Sequence, residues 1–131
     1  MLFRSDFFCC DSGELAALIV LNAVAQAKRN AIPFSQLMAP IMRYANSGEI
    51  NFKIADKAAA IAALDPTLKQ LGPICAESTL DGRRVEYADG WVNVRQSNTE
   101  PYLRLIVEAT TPALLASRLD HIRAILTPFT L

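Results

Sequence analysis

An α+β fold, with an antiparallel four-stranded sheet and its helices packed on one face, follows from three features of the sequence. Residues 49–54 alternate polar and apolar side chains. Three further strand-like runs, 84–87, 91–94 and 102–108, follow one another across short connections. From about residue 46 onward, helical patterns occur only between the first strand and the other three, and again after the last. Alternation at period two marks a half-buried strand, and short connections between successive strands impose antiparallel pairing. Helices inserted at two points collect on one face of such a sheet.

At the start of the chain, residues 2–10 read as a strand containing Phe3, Phe7 and Phe8. Asp11 or Ser12 is placed to cap a helix from Gly13 to about Arg29. Leu15, Leu18, Ile19, Ala23 and Val24 share one face of it, yet Ala16, Ala17, Val20 and Leu21 are apolar too. A helix apolar nearly all round needs cover on several sides. This strand and helix therefore read as the β-α remnant of an α/β domain. Residues 1–45 are assigned to that remnant and residues 46–131 to the second domain, with residues 30–46 as the connecting stretch.

Pro33 interrupts, and Ser35 is placed to cap a second helix reaching about Tyr44. Ser47-Gly48 marks a turn before the first strand of the sheet. Asp56 caps a third helix, with Ala58, Ile61, Ala62 and Leu64, that ends near Pro66 or Gly72. Asp81-Gly82 and Asp89-Gly90 introduce the next two strands. Pro112 opens a final helix whose stripe is Leu114, Leu115, Leu119, Ile122 and Ile125.

The 13 Lys plus Arg balance the 13 Asp plus Glu, so no strong field invites nucleic acid or an anionic membrane. The hydrophobic fraction is 52% and the mean hydropathy +0.22, which calls for some apolar surface to meet a partner. Cys9, Cys10 and Cys75 form neither a disulfide framework nor, with the single His121, a zinc site. Reduced thiols in a cytoplasmic protein are the expectation. The apolar run from Leu15 to Ala25 follows no signal-peptide pattern and falls short of the roughly 20 residues of a membrane span.

Chemistry concentrates in Arg95-Gln96-Ser97-Asn98-Thr99-Glu100-Pro101, between two strands. Alternation puts Val92 and Val94 on one face and Trp91, Asn93 and Arg95 on the other. The Arg95 fork can grip two oxygens of one phosphate or carboxylate. Ser97 and Thr99 add hydroxyls, Asn98 an amide, and consecutive backbone N–H groups in a tight turn can form an anion-binding nest. Pro101 shortens the flexible exit. No general base, activated nucleophile or metal cluster accompanies them. The same residues also fit an ordinary hydrophilic hairpin turn.

The loop followed by Leu103-Arg104 resembles the phosphate-binding loop of the α-D-phosphohexomutases (phosphomannomutase/phosphoglucomutase), which typically reads R-P-S-N-T-E-P. Leu80-Asp81-Gly82-Arg83-Arg84-Val85 with Asp89-Gly90-Trp91 resembles the family's LDGxRV…DGW lead-in. Residues 47–52, SGEINF, resemble a strand of bacterial phosphomannomutases. Phe3-Arg4 and Cys10-Asp11-Ser12-Gly13 resemble the FRDxxYCDSG segment that ends the family's third domain.

That resemblance implies the last domain of a four-domain mutase, TATA-box-binding-protein-like in fold, preceded by the end of the third domain. Such enzymes exchange a phosphoryl group between the 1- and 6-positions of a hexose. They use a phosphoserine in the first domain, a magnesium loop of DGDGDR type in the second and a sugar-selecting GEMSGH-type loop in the third. The implied ligands are hexose 1-phosphate, hexose 6-phosphate and hexose 1,6-bisphosphate. Arg95, Ser97, Asn98 and Thr99 correspond to the positions that hold the non-reacting phosphate. Gln96 stands where the family usually has Pro or a small residue and loosens the loop. Gln96, Glu100 and Arg104 are assigned supporting roles, Arg104 otherwise facing solvent.

No catalytic residue, metal ligand or cofactor is expected within this chain. The magnesium of the full-length enzyme belongs to another domain, and Asp81, Glu86 and Asp89 read as scattered solvated carboxylates. Trp91 reads as sheet packing rather than a sugar platform, and His121 as a surface residue. The chain alone is expected to be inactive, with its missing domains supplied in cis or in trans. The alternative is a non-catalytic phosphate-binding or dimerising module, in which a homodimer covers the apolar helix.

Overall fold

The structure is a computed structural model that describes residues 12–131; the expected strand at residues 2–10 lies outside the described residues. The chain divides into two compact units, Met1–Arg43 and Tyr44–Leu131.

In the first unit, α1 (Gly13–Arg29) starts where the Ser12 hydroxyl accepts a hydrogen bond from the Leu15 N–H at 3.1 Å. Lys28 and Arg29 in its last turn favour the negative end of the helix dipole. Leu18, Ile19, Val20 and Leu21 are all exposed on it. The second helix is shorter than its sequence promised: α2 covers only Phe34–Met38, and Pro33 occupies the N-cap without a side-chain bond. Ser35 is therefore inside the helix rather than its cap. Pro40 cannot donate the backbone bond that would extend the helix toward Tyr44.

The second unit is the expected α+β sandwich of one antiparallel sheet and two helices, but with six strands in place of four. They are β1 (Ala45–Asn46), β2 (Ile50–Lys53), β3 (Ile74–Ser78), β4 (Arg83–Tyr87), β5 (Gly90–Gln96) and β6 (Tyr102–Ala109). Neighbours run β3-β4-β5-β6, and β6 carries both β1 and β2 along its other edge. The two strands missed in the sequence have physical excuses. β1 is only two residues long. β3 is an edge strand exposed along its whole length, so no buried face imposes alternation on it.

The inward face is legible residue by residue. Val85 and Tyr87, Val92 and Val94, and Leu103, Leu105, Val107 and Ala109 are buried at every second position. Against them lie α3 (Lys57–Gln70), through Ala60, Leu64 and Leu68, and α4 (Pro112–Leu126), through Arg118, Ile122 and Leu126. Each fully buried Leu, Ile or Val contributes roughly 1.5–3 kcal/mol through apolar burial. Asp56 caps α3 by accepting from Ala59 N–H at 2.9 Å, and Thr111 caps α4 from Leu114 N–H at 3.2 Å. Pro66 does not end α3, which continues to Gln70 because Leu64 and Leu68 on either side of it are both buried.

Gly90 makes the tight β4–β5 turn possible. Its φ is +148°, and a Cβ there would lie 2.8 Å from Ala109 Cα, leaving no room for a side chain. After α4 a short 3-10 turn, Thr127–Phe129, brings the chain back so that Leu131 N–H donates to Lys53 O at 2.9 Å.

Candidate functional site

The β5–β6 hairpin positions the polar loop. Gln96 stands opposite Leu103, and the Ser97 N–H donates to Tyr102 O at 2.9 Å, closing a connection of five residues, 97–101. Within it the Ser97 hydroxyl accepts from Glu100 N–H at 3.3 Å. Ser97 is buried, 6% exposed, so its side chain braces the turn from inside. Asn98 and Thr99 are exposed at the tip.

Two outside attachments pin this turn. Lys57, the first residue of α3, reaches under it and donates to Ser97 O at 2.7 Å and Glu100 O at 3.2 Å. Ile54 N–H donates to Pro101 O at 2.9 Å. The ammonium also places a positive charge beneath the loop. Nothing local in the sequence announces Lys57; about 40 residues separate it from its partners, and only the packing of α3 on the sheet brings it there.

Arg95 and Arg104 are direct cross-strand partners on the outward face. Arg104 therefore stands beside Arg95 in the candidate site. Glu49 bridges the pair, accepting from Arg95 Nη2 at 3.1 Å and lying 3.4 Å from Arg104 Nη1. Glu100 approaches Arg104 Nη2 at 3.5 Å. Asp81 stands 3.9 Å from Arg95 Nη1, brought there by the β3–β4 turn. Gly82 permits that approach: its φ is +83°, and a Cβ there would come within 2.7 Å of Arg95 Cβ.

Asp81, Arg95, Gln96, Ser97, Asn98, Thr99 and Arg104 together line one polar pocket of about 220 Å³. A wider cleft of about 470 Å³ adjoins it and shares Asp81, Arg95, Gln96 and Asn98. Of the loop residues singled out in the sequence, Arg95 to Thr99 line the pocket, whereas Glu100, which pairs with Arg104, and Pro101 do not. Asp81 is the solvated carboxylate the sequence suggested, its side chain 78% exposed, and it also stands at the edge of the pocket. Glu49 and Lys57 were missed. Glu49 was recoverable in part, because alternation along β2 puts it on the same face as Arg104.

Asp89 departs from the expectation of a merely solvated carboxylate: it forms an ion pair with the buried Arg118 guanidinium. Trp91 belongs to the sheet surface. The Arg84 guanidinium covers its ring at 4.1 Å, and its indole N–H donates to Glu108 at 3.2 Å. His121 is exposed on α4. Among the described residues no group of three His, Cys, Asp or Glu side chains could hold a metal ion, and no helix is long and apolar enough to cross a membrane.

Residues 49–125 match the family described as phosphoglucomutase/phosphomannomutase, C-terminal domain. The chain is 36% identical over 123 residues to a phosphomannomutase of Escherichia coli, covering 92% of this chain and 26% of that protein. It is 36% identical over 117 residues to a phosphomannomutase/phosphoglucomutase of Pseudomonas syringae, covering 88% and 24%. The crystal structure of a phosphoglucomutase/phosphomannomutase family protein from Burkholderia thailandensis superposes with a TM-score of 0.54 at 33% identity, over 72% of this chain and 19% of that one. The chain thus spans about a quarter of the length of these relatives. A match over more than half of its residues, on the same α+β fold, makes the chain a member of the phosphoglucomutase/phosphomannomutase family that carries the family's C-terminal domain.

Proposed function

We propose that this chain supplies the phosphate grip of a phosphohexomutase, the enzyme that interconverts hexose 6-phosphate and hexose 1-phosphate. The pocket shared by Arg95, Ser97, Asn98, Thr99 and Arg104 carries the reading. Two guanidinium groups and the loop's polar groups converge on one polar pocket, and such a fork geometry suits the oxygens of a phosphate. The N–H groups of Ser97 and Glu100 are spent within the loop, whereas no described residue accepts from those of Asn98 and Thr99. These two remain to donate to an anion.

Gln96 and Glu100 shape the turn and Arg104 flanks it. The grip holds the phosphate that is not reacting, while the phosphoryl donor and the sugar-selecting groups belong to the rest of the enzyme, joined in cis or in trans. The substrates on this reading are the hexose 1- and 6-phosphates and the 1,6-bisphosphate intermediate, in a cytoplasmic setting. Magnesium finds no fitting ligand set among the described residues. Residues 1–45 correspond to the terminal part of the preceding α/β domain. On this reading the chain alone performs no turnover, since among the described residues no activated nucleophile stands at the pocket.

A second reading, an interaction module, rests on a different observation. Leu18, Ile19, Val20 and Leu21 form an exposed apolar surface on α1, 48–63% accessible. A stable dimer of the chain in solution would favour it.

A backbone-amide NMR titration with inorganic phosphate, mannose 1-phosphate and glucose 1-phosphate tests the main reading. The expected result is shifts confined to residues 95–99 and 104, similar for all three ligands and absent in Arg95→Ala. Silence of these residues at millimolar ligand, or mutase turnover by the pure chain, would overturn it.

A further inference from the structure

We propose that Glu49 is a positioning residue for the phosphate grip. Its carboxylate stands between the guanidinium groups of Arg95 and Arg104 and holds both in one orientation, leaving N–H groups of each for a single anion. The inference rests on the reading of the loop as a phosphate site.

The strand register creates the need for such a residue. Arg95 on β5 and Arg104 on β6 are directly opposite each other. Like charges at that spacing repel and would splay apart into solvent. β2 supplies the remedy. Ile50 pairs with Leu105 and packs toward the core, so Glu49, one residue earlier, falls on the outward face beside Arg104.

The contact is divided evenly. One carboxylate oxygen lies 3.1 Å from Arg95 Nη2, and the other 3.4 Å from Arg104 Nη1. Each arginine spends one nitrogen on the bridge. Glu49 does not line the polar pocket, whereas Arg95 and Arg104 both do. It stands beside the anion's place rather than in it, so a phosphate need not displace it. Asp81 is the carboxylate in the pocket wall, and its side chain is 78% exposed and free to swing away.

Two opposing effects make the sign of a mutation informative. Losing a negative charge would by itself strengthen anion binding; losing the bridge would weaken it by freeing both guanidinium groups. Glu49→Gln keeps the length and removes the charge, while Glu49→Asp keeps the charge and shortens the reach. If the bridge matters, both weaken binding. If only charge matters, Gln tightens it and Asp is neutral.

The experiment measures inorganic phosphate affinity by NMR titration of the 131-residue chain, for wild type, E49Q, E49D, R95A, R104A and the E49Q/R104A double variant, with a thermal melt of each. The expected result is a roughly fivefold loss for E49Q and for E49D at an unchanged melting temperature. E49Q should cost less in the R104A background than in the wild type, because one of the two guanidinium groups it orients is then gone. E49D keeps the question answerable if E49Q disturbs β2. Loss of binding in R95A with unchanged or tighter binding in both Glu49 variants overturns this inference and spares the phosphate reading. Unchanged binding in R95A overturns both.

Discussion

Arg118 and Arg95 lie in the same unit, and each faces a carboxylate from a neighbouring turn, but the side chain of one is 2% exposed and that of the other 38%. Arg118, on α4, lies with its guanidinium 4.5 Å from the centre of the Tyr87 ring and pairs with Asp89 at the β4–β5 turn. Its Nε and Nη1 are buried and bond to no described residue. Through Nη2 alone that arginine ties α4 to a turn of the sheet. Arg95, at the mouth of a polar pocket, is held by partners one-third or more exposed, pairs that contribute little to stability. Burial, more than residue type, separates an arginine that builds the fold from one held loosely at the surface.

The sharpest way to break this comparison is to delete each guanidinium in turn. Arg118→Ala removes a cation–π contact, an ion pair and the packing of a long buried stem. The expected cost is about 3 kcal/mol, read as a fall in melting temperature of roughly 10 °C or more. Arg95→Ala should change stability by less than about 0.5 kcal/mol while abolishing phosphate binding. Equal melting temperatures for the two variants would sink the distinction.

Tyr87 sharpens the buried side. Its hydroxyl donates to Leu68 O at 2.6 Å, joining β4 to α3. Tyr87→Phe should cost about 1 kcal/mol in denaturant unfolding. Burial pushes the Tyr87 pKa up to about 12. A folded value above the unfolded one of about 10 means the stabilisation is complete below pH 10 and is lost as pH rises through 12. The alkaline loss of stability between those limits should be shallower in the Phe variant.

The smallest effect is expected at Asp65. Hydrogen bonds from Lys69 and Arg83 hold its carboxyl below the usual range. With the folded value depressed, the contribution is present above the unfolded pKa of about 4 and lost as pH falls through the folded one. Asp65→Asn should therefore cost at most about 0.5 kcal/mol at neutral pH and nothing in strong acid, measured by urea unfolding at both pH values.

How much of this was legible in the sequence follows the range of the interactions. The pattern of β4, β5 and β6, the caps Ser12 and Asp56 and the turns at Gly82 and Gly90 are local and were readable. So was the inward row Val92 and Val94 against the outward row Trp91, Asn93 and Arg95. β3 was invisible because an exposed edge strand carries no hydrophobic period. Ser97 was read as a hydroxyl for a ligand, whereas it also braces the loop from inside. Arg118 escaped notice because a charge in a helical stripe reads as surface until its partners are known.

The sequence by itself determined the α+β class, the hairpin that carries the polar loop and the residues of that loop, since each depends on neighbours a few positions apart. Only the tertiary structure decided what surrounds the loop. Lys57 comes from the start of α3, Glu49 from the approach to β2 and Asp81 from the β3–β4 turn. These three meet Arg95, Arg104 and the loop because six strands and two helices close on one core. Contacts between charges distant in sequence leave no periodic trace, and they exist only once apolar burial has brought their elements together.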